Sequence, residues 1–358
     1  MNVKFYLILN SVLFLGAVNI GCHGNGDNSE SDISPPWKTV YTANEGASSI
    51  SVLEVAEDTG KFSLIETKNI ASKPYHITID PNGKFLYASG YWDGIIFIFE
   101  IDANTGRIIQ TGTDLNAEGP ASIEIDPSGK FAYAPDWKNG KISVFTVNEI
   151  SGALQFVESK LAGVMLYFCA VDPETKFLYV TDSLGESVSA FTINNVTGKL
   201  TFVEKEDMGT GAGPFHINVD PGGNFVYITD TELDNISVYS INGVTGELTF
   251  VEAEPAGSAP AYIIIDSSGS YAYVTNYGDN NVSLYTIDDI TGELTFVENK
   301  PAGTNPVGMT IESTGQYAFI ANETSNDVLV FSIDPDTGSL SLIDTHSTGM
   351  HSRAVAVR

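Results

Sequence analysis

The sequence is poor in cysteine, histidine and positive charge. Its 358 residues include 2 Cys, 5 His and 17 basic residues against 45 acidic ones, for a formal net charge of −28. Two cysteines cannot form a disulfide framework, so the fold must be held by its core. Without a cluster of Lys and Arg, a nucleic-acid or anionic-lipid surface is excluded. The acidity is typical of the solvated surface of a soluble, exported protein.

A long apolar run is also lacking. Residues 5–18 are mostly apolar, but Asn10 and Ser11 interrupt them, and the run is shorter than the roughly 20 residues that a membrane-spanning helix needs. Because Lys4 precedes this run and small residues follow it, the pattern predicts a signal peptide that is not part of the fold.

The signal peptide ends at Gly21 and Cys22, which resemble the cleavage box of bacterial lipoproteins. The resemblance implies that Cys22 is lipidated, which would leave Cys169 as a buried apolar side chain without a disulfide partner; ordinary cleavage is the alternative. The next residues are Gly, Asn, Ser, Asp and Pro with little apolar content, as in a flexible tether. We therefore expect a signal peptide over 1–21, a tether over 22–36 and a folded domain over 37–358.

An internal repeat organises the rest of the chain. Seven similar segments end 46, 46, 48, 46, 46 and 46 residues apart, a period that is typical of one propeller blade per repeat. The segments are residues 74–80, 120–126, 166–172, 214–220, 260–266, 306–312 and 352–358.

Each repeat divides into four short runs rich in β-branched and aromatic residues, separated by Gly, Asn, Asp and Ser. In one repeat these runs are residues 263–265, 271–275, 282–287 and 294–297, which predict strands A, B, C and D of a blade. The Thr/Ser-Gly turn between strands C and D recurs seven times, at Gly60, Gly106, Gly152, Gly198, Gly246, Gly292 and Gly338.

The first repeat lacks strand A, and the last segment, 352–358, is a strand A with nothing after it. The simplest arrangement closes a ring by pairing this C-terminal strand with the first strand B at residues 39–42, which removes two exposed sheet edges. The sequence therefore predicts an all-β fold, a seven-bladed β-propeller of four-stranded blades, rather than a solenoid or two domains.

Two motifs carry a family resemblance. Tyr273-Val-Thr-Asn276 and Asp80-Pro-Asn-Gly-Lys84 resemble the YVTN-type repeats of bacterial surface propellers and the 6-phosphogluconolactonase-like propeller family. The resemblance spans residues 37–358. It implies the propeller fold, and in the lactonase-like members it implies Arg, His and Glu together in the central channel.

Polar residues recur where strand B ends. Asn and Asp at this position readily accept hydrogen bonds from nearby backbone amides, so a structural role is favoured over ligand or cation binding. The seven residues are Asn44, Gly90, Asp136, Asp182, Asp230, Asn276 and Asn322.

Strand A supplies the channel candidates. His76 and His216 belong to blades two and five, nearly opposite each other, so one shared metal ion would be held in strained geometry. We expect no metal and no cofactor. Five candidates fall in the consecutive blades six, seven, one and two, which makes this arc the best place for a channel site; they are Tyr262, Glu323, Arg353, Glu45 and His76.

Lactone opening would use a base for water and a cation for the oxyanion or an acidic substrate. Here the family's pattern is dispersed, and Arg353 is the one Arg of the arc, fewer than a phosphosugar would need. Tyr91, Trp92 and Trp137, in adjacent blades, favour recognition, with packing between loops as the alternative. We expect a lipid-anchored binding scaffold for an extracellular or periplasmic protein or glycan, which meets the membrane only through its lipid; a lactone hydrolase is the alternative.

Overall fold

The computed structural model describes residues 37–56 and 58–358, with the side chain of Trp37 left aside. The predicted signal peptide, Cys22 and the tether lie outside the described residues. Within the described part of the chain, none of the secondary structure is a helix that could cross a membrane.

The described residues form 28 β-strands. In chain order they are β1 (Trp37–Asn44), β2 (Ser49–Ala56), β3 (Phe62–Asn69), β4 (His76–Ile79), β5 (Phe85–Gly90), β6 (Ile95–Ile101), β7 (Ile108–Asp114), β8 (Glu124–Ile125), β9 (Phe131–Asp136), β10 (Lys141–Val147), β11 (Leu154–Leu161), β12 (Leu166–Val171), β13 (Phe177–Asp182), β14 (Ser187–Ile193), β15 (Leu200–Asp207), β16 (Pro214–Val219), β17 (Phe225–Asp230), β18 (Asn235–Ile241), β19 (Leu248–Pro255), β20 (Pro260–Ile265), β21 (Tyr271–Asn276), β22 (Asn281–Ile287), β23 (Leu294–Pro301), β24 (Pro306–Ile311), β25 (Tyr317–Asn322), β26 (Asp327–Ile333), β27 (Leu340–Ser347) and β28 (Ser352–Val357).

The strands form seven antiparallel sheets of four, which confirms the seven-bladed propeller. Blade one has the order β28-β1-β2-β3, and blades two to seven each take four consecutive strands. Each blade thus reads A, B, C, D from the channel outward, as the repeat predicts.

Ring closure is confirmed in blade one. The C-terminal strand β28 pairs antiparallel with β1, from Val40 opposite Val357 to Asn44 opposite Ser352. The pairing therefore runs further along β1 than residues 39–42. Thr39 and Arg358 extend it by exchanging backbone hydrogen bonds at 3.3 and 2.9 Å.

Strand B is buried along its whole length in blades two to five, and in blades six and seven only its first residue is partly exposed. A tyrosine near its middle also bonds to the next blade. The hydroxyl of Tyr41 donates to the carbonyl of Gly106 at 2.8 Å, and that of Tyr87 donates to Gly152 at 2.9 Å. Four further blades repeat the contact. The Gly of six C–D turns thus joins consecutive blades, while blade seven has Phe319 at the tyrosine position.

Several strand lengths differ from the sequence-based expectation, and in blade six strand A begins at Pro260 instead of residue 263. Strand D of blade six reaches Pro301 instead of residue 297, because its pairing with β22 continues past an irregularity at Leu284 and Tyr285. Strand A of blade three is only Glu124–Ile125. Pro135 explains the shortening: its carbonyl accepts from Ala121 at 2.9 Å, and its nitrogen, which faces the same strand, has no hydrogen to donate.

Candidate functional site

Side chains from several blades meet where strand A begins and strand B ends, at the end of the channel that we call the mouth. Two recurring positions supply them, the residue after strand B and a residue near the start of strand A. The first gives Glu45, Tyr91, Trp137, Tyr277 and Glu323, and the second gives Tyr75, Tyr167, Phe215 and Arg353.

Arg353 joins two carboxylates at the mouth. Its Nε pairs with Glu45, and its Nη2 lies 3.1 Å from Oε1 of Glu323. Burial alone would lower the pKa of Arg353, but Tyr75, Glu323 and Glu45 outweigh burial and raise the pKa. This cluster carries a net charge of −1 when all three side chains are ionised, so Arg353 is not free to neutralise a ligand anion.

A row of flat side chains extends from Arg353 over blades two and three. The guanidinium carbon of Arg353 lies 4.7 Å from the ring centre of Tyr75. Tyr75 stacks on Tyr91 at 4.5 Å, and Tyr91 stacks on Trp137 at 4.5 Å with 1° between the planes. These four side chains, the stacked row, form a rigid aromatic wall.

Trp92 completes the wall and links it to the acidic cluster. Its ring lies edge-on to Tyr91 at 4.9 Å and to Trp137 at 5.8 Å. Its Nε1 donates to Oε1 of Glu45 at 2.9 Å, yet 51% of Trp92 is exposed. Trp92 therefore packs against neighbouring loops and leaves about half of its surface exposed.

A second layer lies deeper in the channel and is formed by His76, Phe168, His216 and Tyr262. Phe168 packs edge-on against His76 at 5.5 Å and against His216 at 4.8 Å, and His216 stacks on Tyr262 at 3.4 Å. Phe168 contacts both histidines from its place between their blades. Among the described residues, no group of three or more His, Cys, Asp or Glu is placed to hold a metal ion.

Both deep histidines are uncharged at neutral pH. Burial lowers the pKa of His76 to about 4, and burial together with His76 lowers the pKa of His216 well below its usual range. The Nδ1 of His216 accepts from the backbone of Ile263 at 3.3 Å. Each ring is thus a neutral member of the buried layer.

The residues of the predicted arc therefore lie at two different depths of the channel. The structure brings Glu45, Arg353 and Glu323 together, whereas His76 and Tyr262 belong to the deeper layer with His216. Tyr75, the partner of Arg353, was not among the candidates drawn from the sequence. Its place one residue before His76 in strand A was the available signal.

Four of the polar residues at the end of strand B bind backbone, among them Asn276, whereas Asn44 and Asn322 donate to side chains of strand C. Asp136 accepts from the amide of Lys138 at 2.8 Å, Asp182 from that of Met165 at 2.9 Å, and Asp230 from that of Gly213 at 2.8 Å. These bonds fix the loops that carry the mouth residues, which is the structural role expected from the sequence.

The fold and this mouth define a seven-bladed propeller with an aromatic and acidic channel entrance. The chain belongs to the family described as "Lactonase, 7-bladed beta-propeller", whose sequence profile matches residues 14–124, 169–265 and 252–357. The resemblance drawn from the repeats is thereby confirmed. No protein of curated function matches the chain in sequence.

Solved structures share the fold. A putative 6-phosphogluconolactonase from Bacteroides uniformis is 18% identical, with a TM-score of 0.81 over 90% of this chain and 100% of the other. One from Bacteroides fragilis is 20% identical, with a TM-score of 0.81 over 92% and 100%. A periplasmic gluconolactonase from Pseudomonas aeruginosa is 19% identical, with a TM-score of 0.79 over 90% and 98%. Likeness at this identity shows the fold alone.

Proposed function

We propose that this propeller is a binding protein whose mouth takes an uncharged polyhydroxylated ligand, a saccharide or sugar lactone. The observation that carries the proposal is the stacked row of Arg353, Tyr75, Tyr91 and Trp137 beside two carboxylates. Aromatic rings cover the apolar face of a sugar ring, and carboxylate oxygens accept hydrogen bonds from its hydroxyls. Because the faces of Tyr75 and Tyr91 are covered by their neighbours in the row, the ring surface open to a sugar is mainly that of Trp92, which is 51% exposed. A mouth with both features suits a sugar.

The charge at the mouth disfavours an anionic ligand. Glu45 and Glu323 already occupy Arg353, and the chain carries a formal charge of −28. A phosphorylated sugar would have to displace a carboxylate from Arg353 and enter a negative potential. An uncharged sugar meets neither obstacle.

A lactone hydrolase remains the second candidate, because the chain belongs to the lactonase propeller family. In that case Glu45 or Glu323 would be the base that activates water, and Arg353 would stabilise the oxyanion. The packing favours binding instead. Both carboxylates are engaged by Arg353, and the two histidines of strand A lie in the deeper layer against Phe168.

Tryptophan fluorescence tests the proposal directly, because two of the 3 Trp of the chain, Trp92 and Trp137, lie at the mouth. We expect D-glucose or glucono-1,5-lactone to change this emission saturably, and 6-phosphogluconate to leave it unchanged at the same concentration. Trp137→Ala should weaken sugar binding at least tenfold, about 1.4 kcal/mol, because it removes the end of the stacked row. Ile290→Ala, at an exposed turn, is the matched control.

Turnover is measured on the same samples. In a pH-stat, we expect glucono-1,5-lactone and 6-phosphogluconolactone to hydrolyse no faster than in buffer. Hydrolysis well above buffer that collapses in Glu45→Gln or Glu323→Gln would establish the hydrolase instead. If the tryptophan emission responds to none of these sugars, the saccharide proposal is wrong.

We further propose that the protein is exported and held at a membrane by a lipid on Cys22. The support is the Gly21-Cys22 pair after a short apolar run. Cys22→Ala should leave the propeller folded and move the protein from the membrane fraction to the soluble fraction after cell disruption. Retention of this variant in membranes that detergent must dissolve would show that Cys22 is not the anchor.

A further inference from the structure

The channel continues below the layer of His76, Phe168, His216 and Tyr262 as two adjoining cavities, which we call the chamber. One cavity has a volume of about 80 Å³ and is bounded partly by Phe168 and Cys169. The other has a volume of about 220 Å³ and is bounded partly by Thr310 and Val357. Because His76, Glu124, Asn218 and Tyr262 line both cavities, the two meet at these residues.

Glu124 is the chamber's one carboxyl group, and no Lys or Arg lines either cavity. Within the described part of the chain, its side chain forms neither a hydrogen bond nor an ion pair. Burial, with a smaller contribution from Asp126, raises the pKa of Glu124 to about 8. A partly buried carboxyl group in the channel wall that no protein group pairs with is open to a ligand of the chamber.

Glu124 lies on the short strand A of blade three. β8 consists of Glu124–Ile125 alone, and Pro135 cannot donate the bond that would extend it. Among the strand A residues at the position equivalent to Glu124, the other blades carry Thr78, Ala170, Asn218, Ile264, Thr310 and Ala356. The carboxyl is therefore a departure from the repeat at one place on the channel wall.

The surroundings indicate which ligand would satisfy this acid. A cation would be attracted to the carboxylate in a buried site with no competing basic side chain. The smaller cavity also has the rings of Phe168 and Tyr262 on its wall, which favour an organic ammonium over a metal ion. One carboxylate is too few for Ca²⁺ or Mg²⁺, which take several oxygen ligands.

We propose that the chamber binds one small organic ammonium ion, with Glu124 as its counterion and Asn218 as an additional acceptor. This site is separate from the mouth and does not depend on the sugar proposal. Binding transfers the proton of the Glu124 carboxyl to solvent, so one carboxylate and one ammonium form an ion pair inside the channel.

The other titratable groups at the chamber leave Glu124 as the group that responds near neutral pH. His76 and His216 are neutral because burial lowers the pKa of each. Burial raises the pKa of the Cys169 thiol and of the Tyr262 hydroxyl. Asp126, the residue after β8, adds to the rise in the pKa of Glu124.

Calorimetric titration with methylammonium chloride at pH 7, in two buffers of different ionisation enthalpy, tests the proposal. We expect saturable binding with release of about 0.9 proton per ion, the amount held by a group of pKa about 8 at this pH. Affinity should rise about tenfold from pH 6 to pH 7. Glu124→Gln should weaken binding at least tenfold, and Glu149→Gln, an exposed carboxyl of the same blade, should not.

Three results would overturn the proposal: no binding of methylammonium, equal binding by Glu124→Gln, or equal affinity for potassium at the same ionic strength. Thermal unfolding of the wild type and of Glu124→Gln shows whether weaker binding by the variant comes from a folding defect. The folded pKa of Glu124 lies above its unfolded value, so wild-type stability should fall as pH rises through about 8. The stability of Glu124→Gln should depend less on pH than that of the wild type. Its tryptophan emission, which reports on the mouth, should be unchanged.

Discussion

Deletion of residues 348–358 should abolish the cooperative unfolding transition of the whole propeller. The deletion removes β28, which is strand A of blade one and packs beside β24 of blade seven. Val355 is buried among Val40, Phe319 and Val330, so the core between blades seven and one would open. A domain has only about 5–15 kcal/mol of stability, and loss of a whole inner strand is comparable to that total.

Circular dichroism during heating, together with tryptophan emission, measures this effect. A synthetic peptide of residues 348–358 should restore the transition by adding the missing strand to β1. Val355→Asp in the full chain is a smaller version of the same defect, because it places a charge in that core. A truncated protein with an unchanged thermal midpoint would show that closure through β28 contributes nothing to stability.

The seven-bladed ring could be predicted because the sequence itself repeats. Seven repeats at a nearly constant spacing fix the blade number, and an unpaired strand at each end of the chain fixes the closure. The strand lengths were less predictable. The shortening of β8 depends on Pro135, one residue on the neighbouring strand, whose effect appears only once the register places it opposite strand A.

The sequence-based prediction grouped the candidate site residues by blade and did not assign their depth in the channel. Arg353, Glu45 and Glu323 lie in blades one and seven, which adjoin once the ring closes, and their meeting follows from that closure. His76 and Tyr262 occupy the same repeat position as Phe168 and His216, one residue further along strand A than the position of Tyr75 and Arg353. Their depth in the channel follows from that position, which the sequence-based grouping by blade did not use.

Arg353→Met should lower the free energy of unfolding by about 3 kcal/mol at pH 7, more than Glu45→Gln or Glu323→Gln does. The variant leaves two largely buried carboxylates beside each other with no cation between them, and it removes the cation from the face of Tyr75. Denaturant unfolding measures the change.

The combination Glu45→Gln, Glu323→Gln and Arg353→Met is the matched control and should recover most of the lost stability, because it removes the unpaired charges together. Denaturant midpoints for Arg353→Met that equal the wild-type midpoint would show that the cluster is a solvated surface group. In that case the stacked row would have to be positioned by its aromatic contacts alone.

Arg353→Lys distinguishes a positioning role of Arg353 from a catalytic one. Lysine keeps the charge near Glu45 and Glu323 but cannot lie as a flat group on Tyr75. If Arg353 positions the row for a sugar, we expect Arg353→Lys to weaken sugar binding about tenfold while its stability stays closer to wild type than that of Arg353→Met. Titration of tryptophan emission with D-glucose measures that affinity. Unchanged affinity together with a loss of lactone turnover would instead assign Arg353 to catalysis, because only a developing oxyanion would then depend on the guanidinium.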